Sequence, residues 1–132
     1  MKMLIRNLVN RFGFDIIRKP KTDFSVYDNF VEESLLKRRC YNIGAGSFGH
    51  PYWTNIDYAT KHYKEVQKNP FLHYDLMELK PLPIEDNVGE LIYSSHTIEH
   101  VSDEAVRNML SESYRILKPG GDIRLTTLDV WL

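Results

Sequence analysis

A single cysteine occurs in the 132 residues, so Cys40 has no partner for an internal disulfide and the chain fits a reducing compartment. It opens an apolar run, where a buried structural thiol is expected rather than a nucleophile. Long hydrophobic runs are also missing: nothing approaches the roughly 20 apolar residues that cross a bilayer. The N-terminus lacks the apolar core of a signal peptide, because Arg6, Asn7, Asn10 and Arg11 interrupt it. Together these absences point to a cytoplasmic protein. An excess of one charge is absent as well. Seventeen Lys and Arg stand against 18 Asp and Glu, a net charge of −1 that gives the molecule as a whole no electrostatic claim on nucleic acid. Neither internal repeats nor low-complexity segments occur. What remains, at 42% hydrophobic and 27% charged, is the composition of one globular domain.

Charge is unevenly distributed along that chain. Residues 1–21 carry Lys2, Arg6, Arg11, Arg18, Lys19 and Lys21 against Asp15, so this segment is strongly basic and the remainder acidic. Within it, Leu4, Ile5, Leu8, Val9, Phe12 and Ile16 share one helical arc, and Lys2, Arg6, Asn7, Asn10 and Arg11 lie opposite. Residues 1–13 therefore read as an amphipathic helix, either packed on its own domain or lying on an anionic membrane surface. Residues 18–29 read as a polar linker, which divides the chain into an extension, 1–29, and a domain, 30–132.

In that domain a short helix over 30–37 leads into strands at 38–43, 54–57, 71–74, 90–94 and 122–127. The fourth, Glu90-Leu91-Ile92-Tyr93-Ser94, is nearly all apolar, as a strand covered on both faces requires. A long helix is expected from Ser102 to Leu117. Ser102 caps it, Asp103 and Glu104 suit its positive end, and Lys118-Pro119-Gly120-Gly121 stops it. Strands alternating with connecting segments predict an α/β fold with a mostly parallel sheet.

Gly44-Ala45-Gly46-Ser47-Phe48-Gly49 follows the first strand directly and has the G-x-G-x-x-G spacing of a nucleotide-binding turn. A dinucleotide fold would open a full helix here and place its ribose-binding acid about 20 residues on. Instead Asp57 arrives eight residues after Gly49, which argues against NAD. The crossover is short.

These residues, with Asn42-Ile43 before them, Pro51-Tyr52-Trp53-Thr54-Asn55-Ile56-Asp57, Tyr74-Asp75-Leu76 and Pro81-Leu82-Pro83 after, resemble successive motifs of a class I S-adenosylmethionine-dependent methyltransferase. Ile92-Tyr93-Ser94-Ser95-His96-Thr97-Ile98-Glu99-His100 and Tyr114-Arg115-Ile116-Leu117-Lys118-Pro119-Gly120-Gly121 extend the likeness, which is to the type 11-like group. The resemblance implies a Rossmann-like sheet of order 3-2-1-4-5, with helices on both faces, and S-adenosylmethionine as cofactor. By position, Asn42, Gly44, Ala45 and Gly46 would lie under its methionine portion and Asp57, with Tyr58 beside it, at the ribose. Asp75 and Leu76 would meet the adenine, and Ser94 and Ser95 would line the floor. Asn42 is often acidic in relatives, Phe48 stands where many have a third glycine, and Leu128 replaces a common proline. The family's sheet has seven strands and only five are evident, so the chain reads as truncated; the other reading is a dimer formed over the bare edge.

His96-Thr97-Ile98-Glu99-His100 carries two readings. On one helix, H-x-x-E-H can bind zinc with glutamate as base, a hydrolase. Here the segment follows a strand at once and no histidine lies downstream to complete the ligands, so no metal is expected. In a methyltransferase the same residues lie at the carboxyl end of the fourth strand, where α/β sheets place ligands. His96, Glu99 and His100 are then the candidate catalytic residues, an imidazole taking the proton of the acceptor. The expected function is methyl transfer to oxygen or nitrogen of a small molecule or glycan precursor. The alternative is a cofactor-binding fragment without catalysis.

Overall fold

The computed structural model describes residues 24–60 and 71–128. The expected N-terminal helix over 1–13 and the apolar finish at 129–132 lie outside these residues. Five strands form one sheet: β1 (Cys40–Ile43), β2 (Trp53–Asp57), β3 (Phe71–His73), β4 (Gly89–Ser95) and β5 (Leu117–Thr126). Their order is β3-β2-β1-β4-β5, and every neighbouring pair is parallel. That is the order expected from the sequence. Helices α1 (Glu32–Leu36) and α2 (Asp103–Ile116) accompany them.

Register divides the side chains between the two faces. Ile43 pairs with Ile56 and Ser94, and Ile56 with Leu72, so these residues share a face. With Tyr41, Ile92, Met109 and Ile116 they make the core beneath α2. Cys40, Asn42, Trp53, Asn55, Leu91 and Tyr93 alternate to the other face. Cys40 is fully buried, and burial pushes its thiol up to about 11, so it stays protonated as a packing group.

The long helix forms as its ends require. Ser102 Oγ accepts from the Ala105 N–H at 3.2 Å, Asp103 and Glu104 occupy the first turn, and Ala105, Met109 and Ile116 form the buried stripe. Arg115 then ties α2 to the chain before β4. Its guanidinium donates to Glu112, to the Ile84 carbonyl at 2.8 Å and to the Leu82 carbonyl at 2.9 Å, while Glu112 accepts from the Leu82 N–H at 2.7 Å.

Two segments differ from their sequence reading. Lys118-Pro119-Gly120-Gly121, expected to separate helix from strand, lies within β5. Gly89 pairs with Leu117 and Leu91 with Asp122, so one residue of β4 faces four of β5, and the surplus bulges out through Gly120 at φ +80°. Lys118 still finds a partner, pairing with the buried Glu90. The supposed linker is also packed where it is described. Residues 25–27 form a 3-10 turn, and Phe24, Tyr27 and Phe30 make ring contacts that reach His50 and Tyr52. Trp53 Nε1–H donates to Tyr27 Oη at 2.7 Å. Scattered aromatics in a polar stretch carry no periodicity, so the pattern did not reveal this cluster.

Candidate active site

The carboxyl ends of β1, β2 and β4, with the chain after β3, surround a cavity of about 260 Å³. Gly44 and Gly46 form its first wall, with φ of +70° and +53°, the left-handed region that glycine enters without steric cost. The Gly44 N–H donates to the Ile56 carbonyl at 2.8 Å, holding the turn against β2. No helix follows. Nine residues (44–52) separate β1 from β2, fewer than the dozen or so that parallel crossovers usually need. Asn55, buried on β2, reaches over and donates from Nδ2 to the Phe48 carbonyl, pinning this short loop.

Asp57 ends β2 at the cavity wall. Its Oδ2 accepts from the Gly46 N–H at 2.6 Å and its Oδ1 from the Tyr58 N–H at 2.7 Å. A carboxylate offers about four acceptor positions, so each oxygen keeps one for a ligand hydroxyl. Asp75 caps the 3-10 turn Leu76–Glu78, accepting from the Met77 N–H at 2.9 Å. Leu76, Tyr58, Tyr74 and Met77 supply apolar and aromatic lining beside it.

The opposite wall comes from the loop after β4. His96 turns through φ +52°, and its N–H donates to the Thr126 carbonyl at 3.0 Å. Its Nδ1 lies 3.2 Å from Glu99 Oε1. The backbone N–H of Glu99, then His96 and Thr127, hold that carboxyl below the usual range. An ionised carboxylate can only accept, so this contact puts the proton on Nδ1 and leaves the lone pair on Nε2, the arrangement of a general base. His96 and His100 both line the cavity.

Of the residues expected at the site, Gly44, Gly46, Asp57, Tyr58, Asp75, Leu76, His96 and His100 meet at this cavity. Glu99 stands behind His96. Asn42, Ala45, Ser94 and Ser95 are not among its lining. Asn42 and Ser94 are buried in the sheet, and Ser95 Oγ accepts from Thr126 Oγ1 at 2.7 Å, tying β4 to β5. The zinc reading does not survive the geometry. Only Ile98–His100 is helical, as a 3-10 turn, and His96 precedes it in a left-handed conformation, so no α-helical face carries both imidazoles. Among the described residues, no three His, Cys, Asp or Glu side chains group to hold a metal.

Thr97 is the residue that sequence reasoning missed. A Cβ on Gly44 would lie 2.1 Å from Thr97 Oγ1, which makes Thr97 the reason no side chain fits there. Its hydroxyl donates toward the Ser95 carbonyl at 3.2 Å and the Ile43 carbonyl at 3.4 Å, joining the two walls. Nothing in the motif spacing distinguishes it from an ordinary loop threonine. Gly46 differs, since a Cβ there meets nothing within 4 Å and space for a ligand lies above it.

A family described as a methyltransferase domain matches residues 48–125, more than half of the chain. The chain belongs to that family. The match begins after Gly46, so the glycine turn lies just outside it. A malonyl-(acyl-carrier protein) O-methyltransferase from Salmonella typhimurium is 36% identical over 56 residues, 42% of this chain and 22% of that protein. The chain thus aligns with about a fifth of that curated relative. A solved structure described as an S-adenosyl-L-methionine-dependent methyltransferase, from Methanococcus maripaludis, aligns with a TM-score of 0.48 at 20% identity, covering 83% of this chain and 66% of that one. The cofactor implied by the family is S-adenosylmethionine, and the residues present fit it. Two left-handed glycines, open space above Gly46 and free acceptor positions on Asp57 suit a ligand with hydroxyls and a carboxylate. Among the described residues, no helix is long and apolar enough to cross a membrane.

Proposed function

We propose that this chain transfers a methyl group from S-adenosylmethionine to an oxygen or nitrogen acceptor on a small molecule or glycan precursor. The observation that carries the reading is the joining of Gly44, Gly46, Asp57 and Asp75 with His96 around one cavity in a chain of the methyltransferase-domain family. The cofactor supplies an activated methyl group for in-line displacement. Asp57 would accept from the ribose hydroxyls with the acceptor positions that the Gly46 and Tyr58 amides leave free, and the turn at Gly44–Gly46 would allow the methionine portion close backbone approach. Across the cavity His96 takes the acceptor's proton on Nε2, and Glu99 holds the ring in that tautomer. The Salmonella relative is an O-methyltransferase, which favours oxygen, and a hydroxyl is the acceptor for which a base matters most.

Calorimetric titration of the chain with S-adenosylmethionine and S-adenosylhomocysteine tests the cofactor assignment. Binding is expected, and Asp57→Ala should weaken it at least tenfold, because one carboxylate serves both the ribose and the Gly46 turn. A folded chain that binds neither compound rejects the proposal. Incorporation of labelled methyl into hydroxyl and amine acceptors then distinguishes an enzyme from a domain that only binds, and His96→Gln should lower kcat by about 10²-fold if His96 is the base.

A further inference from the structure

Parallel sheets bury side chains on both faces. On the face opposite α2, the ring cluster of Phe24, Tyr27, His50 and Tyr52 lies beside Trp53. From there, towards β4 and β5, a groove of about 270 Å³ runs between Tyr27, Phe48, Trp53, Leu91, Tyr93 and Arg124. None of these six residues lines the cavity at the strand ends, so the groove is a separate space.

Its walls are mostly rings, and the central one is fixed. Trp53 is buried on β2, and its indole N–H donates to Tyr27 Oη at 2.7 Å. Phe48 and Tyr93 stand nearly perpendicular to it, at 78° and 80°, with centroids 5.7 and 6.4 Å away. Hydrogen bonds with Ser95 and Thr126, and then the charge of Arg124, hold the Tyr93 phenol below its usual range. A flat ring lying parallel to the indole would meet Phe48 and Tyr93 edge to face, an arrangement that aromatic pairs favour. An aliphatic chain gains nothing from those angles.

Arg124 sets the charge of the occupant. It pairs in register with Tyr93, is exposed, and has no ion pair among the described residues. Asp122, two residues before it on the same face of β5, neither ion-pairs with it nor lines the groove. A guanidinium is weakly hydrated for a cation and matches a carboxylate with two parallel hydrogen bonds. Small-molecule pockets start at about 300 Å³, so this groove suits one or two fused rings and no larger body.

We infer that the groove is a second ligand site, which takes a flat aromatic carboxylate with its ring against Trp53 and its carboxylate on Arg124. The inference stands apart from methyl transfer, because it shares no residue with the cofactor cavity.

The test titrates the full chain by calorimetry with naphthoate and with naphthylmethylamine, which carries the same rings and the opposite charge. Naphthoate should bind, and the amine should bind about tenfold more weakly or not at all. Arg124→Gln, an exposed substitution, should weaken naphthoate by about tenfold and remove the preference between the two compounds. Phe48→Ala, which keeps the cation, should weaken naphthoate several-fold. Naphthoate should also shift the nuclear magnetic resonance signal of the Trp53 indole N–H, identified by its loss in Trp53→Phe. Equal binding of acid and amine overturns the inference, as does an Arg124→Gln chain with unchanged affinity. Binding that leaves the Trp53 signal in place would put the ligand elsewhere and overturn it too. A folded chain that binds no naphthoate and sediments as a dimer would give the groove to a second copy, and failure to bind as a monomer rejects the site outright.

Discussion

Positions 44 and 46 both turn through left-handed backbone, yet only one of them is crowded. A Cβ at Gly44 collides with Thr97, whereas at Gly46 it meets open space. Gly46→Ala should therefore cost only the backbone strain of an L-residue, about 1–2 kcal/mol, and Gly44→Ala should cost about 3 kcal/mol or more, since strain and overpacking combine. Urea unfolding of the two variants checks the difference, and Thr97→Ala added to Gly44→Ala should recover part of the loss by removing the atoms at 2.1 and 2.7 Å. His50 offers a second test at this scale. Burial lowers its pKa from the usual value of 6.5. Its folded form therefore binds protons less readily than its unfolded form, so this contribution to stability is complete above pH 6.5 and is lost as pH falls below it. Melting temperature should drop across that interval. His50→Asn, whose Oδ1 can replace Nδ1 as acceptor for the Tyr52 N–H, should flatten the drop.

At the scale of elements, Arg115 makes the densest polar tie between α2 and the chain before β4. Arg115 bonds Glu112, Asp86 and the carbonyls of Leu82 and Ile84, and in return it keeps the Glu112 carboxyl below its usual range. Arg115→Ala leaves a largely buried carboxylate without its cation and should destabilise the fold by about 2–4 kcal/mol in thermal or denaturant unfolding. Elements with strong periodicity were legible in the sequence. The capped stripe of α2 and the apolar run of β4 appear within one or two residues of their expected bounds. Less was legible where the determinant is not local. Lys118-Pro119-Gly120-Gly121 has turn chemistry, and only the pairing of Gly89 with Leu117 makes it a bulge inside β5. Thr97 shows its role only once Gly44 is seen against it, and Ser94 and Ser95, expected at the ligand, lie on β4 outside the cavity lining.

Across the whole molecule, the strand order was readable, and most residues expected at the site meet at one cavity, because motifs fall at strand ends, where chain order and spatial order agree. The aromatic cover contributed by residues 24–30 was not readable, since it compensates for a helix that is missing elsewhere. That missing helix has a kinetic counterpart. Cys40 meets Trp53 across 13 residues of chain and Leu91 across 51, and closing the longer loop costs about 1.2 kcal/mol more in chain entropy. The early partner of β1 is therefore β2, which brings the glycine turn and Asp57 together at once. His96 and Thr97 join them only when β4 docks, so an opening between β1 and β4 would part the two walls of the cavity, and the methyl transfer proposed above would stop.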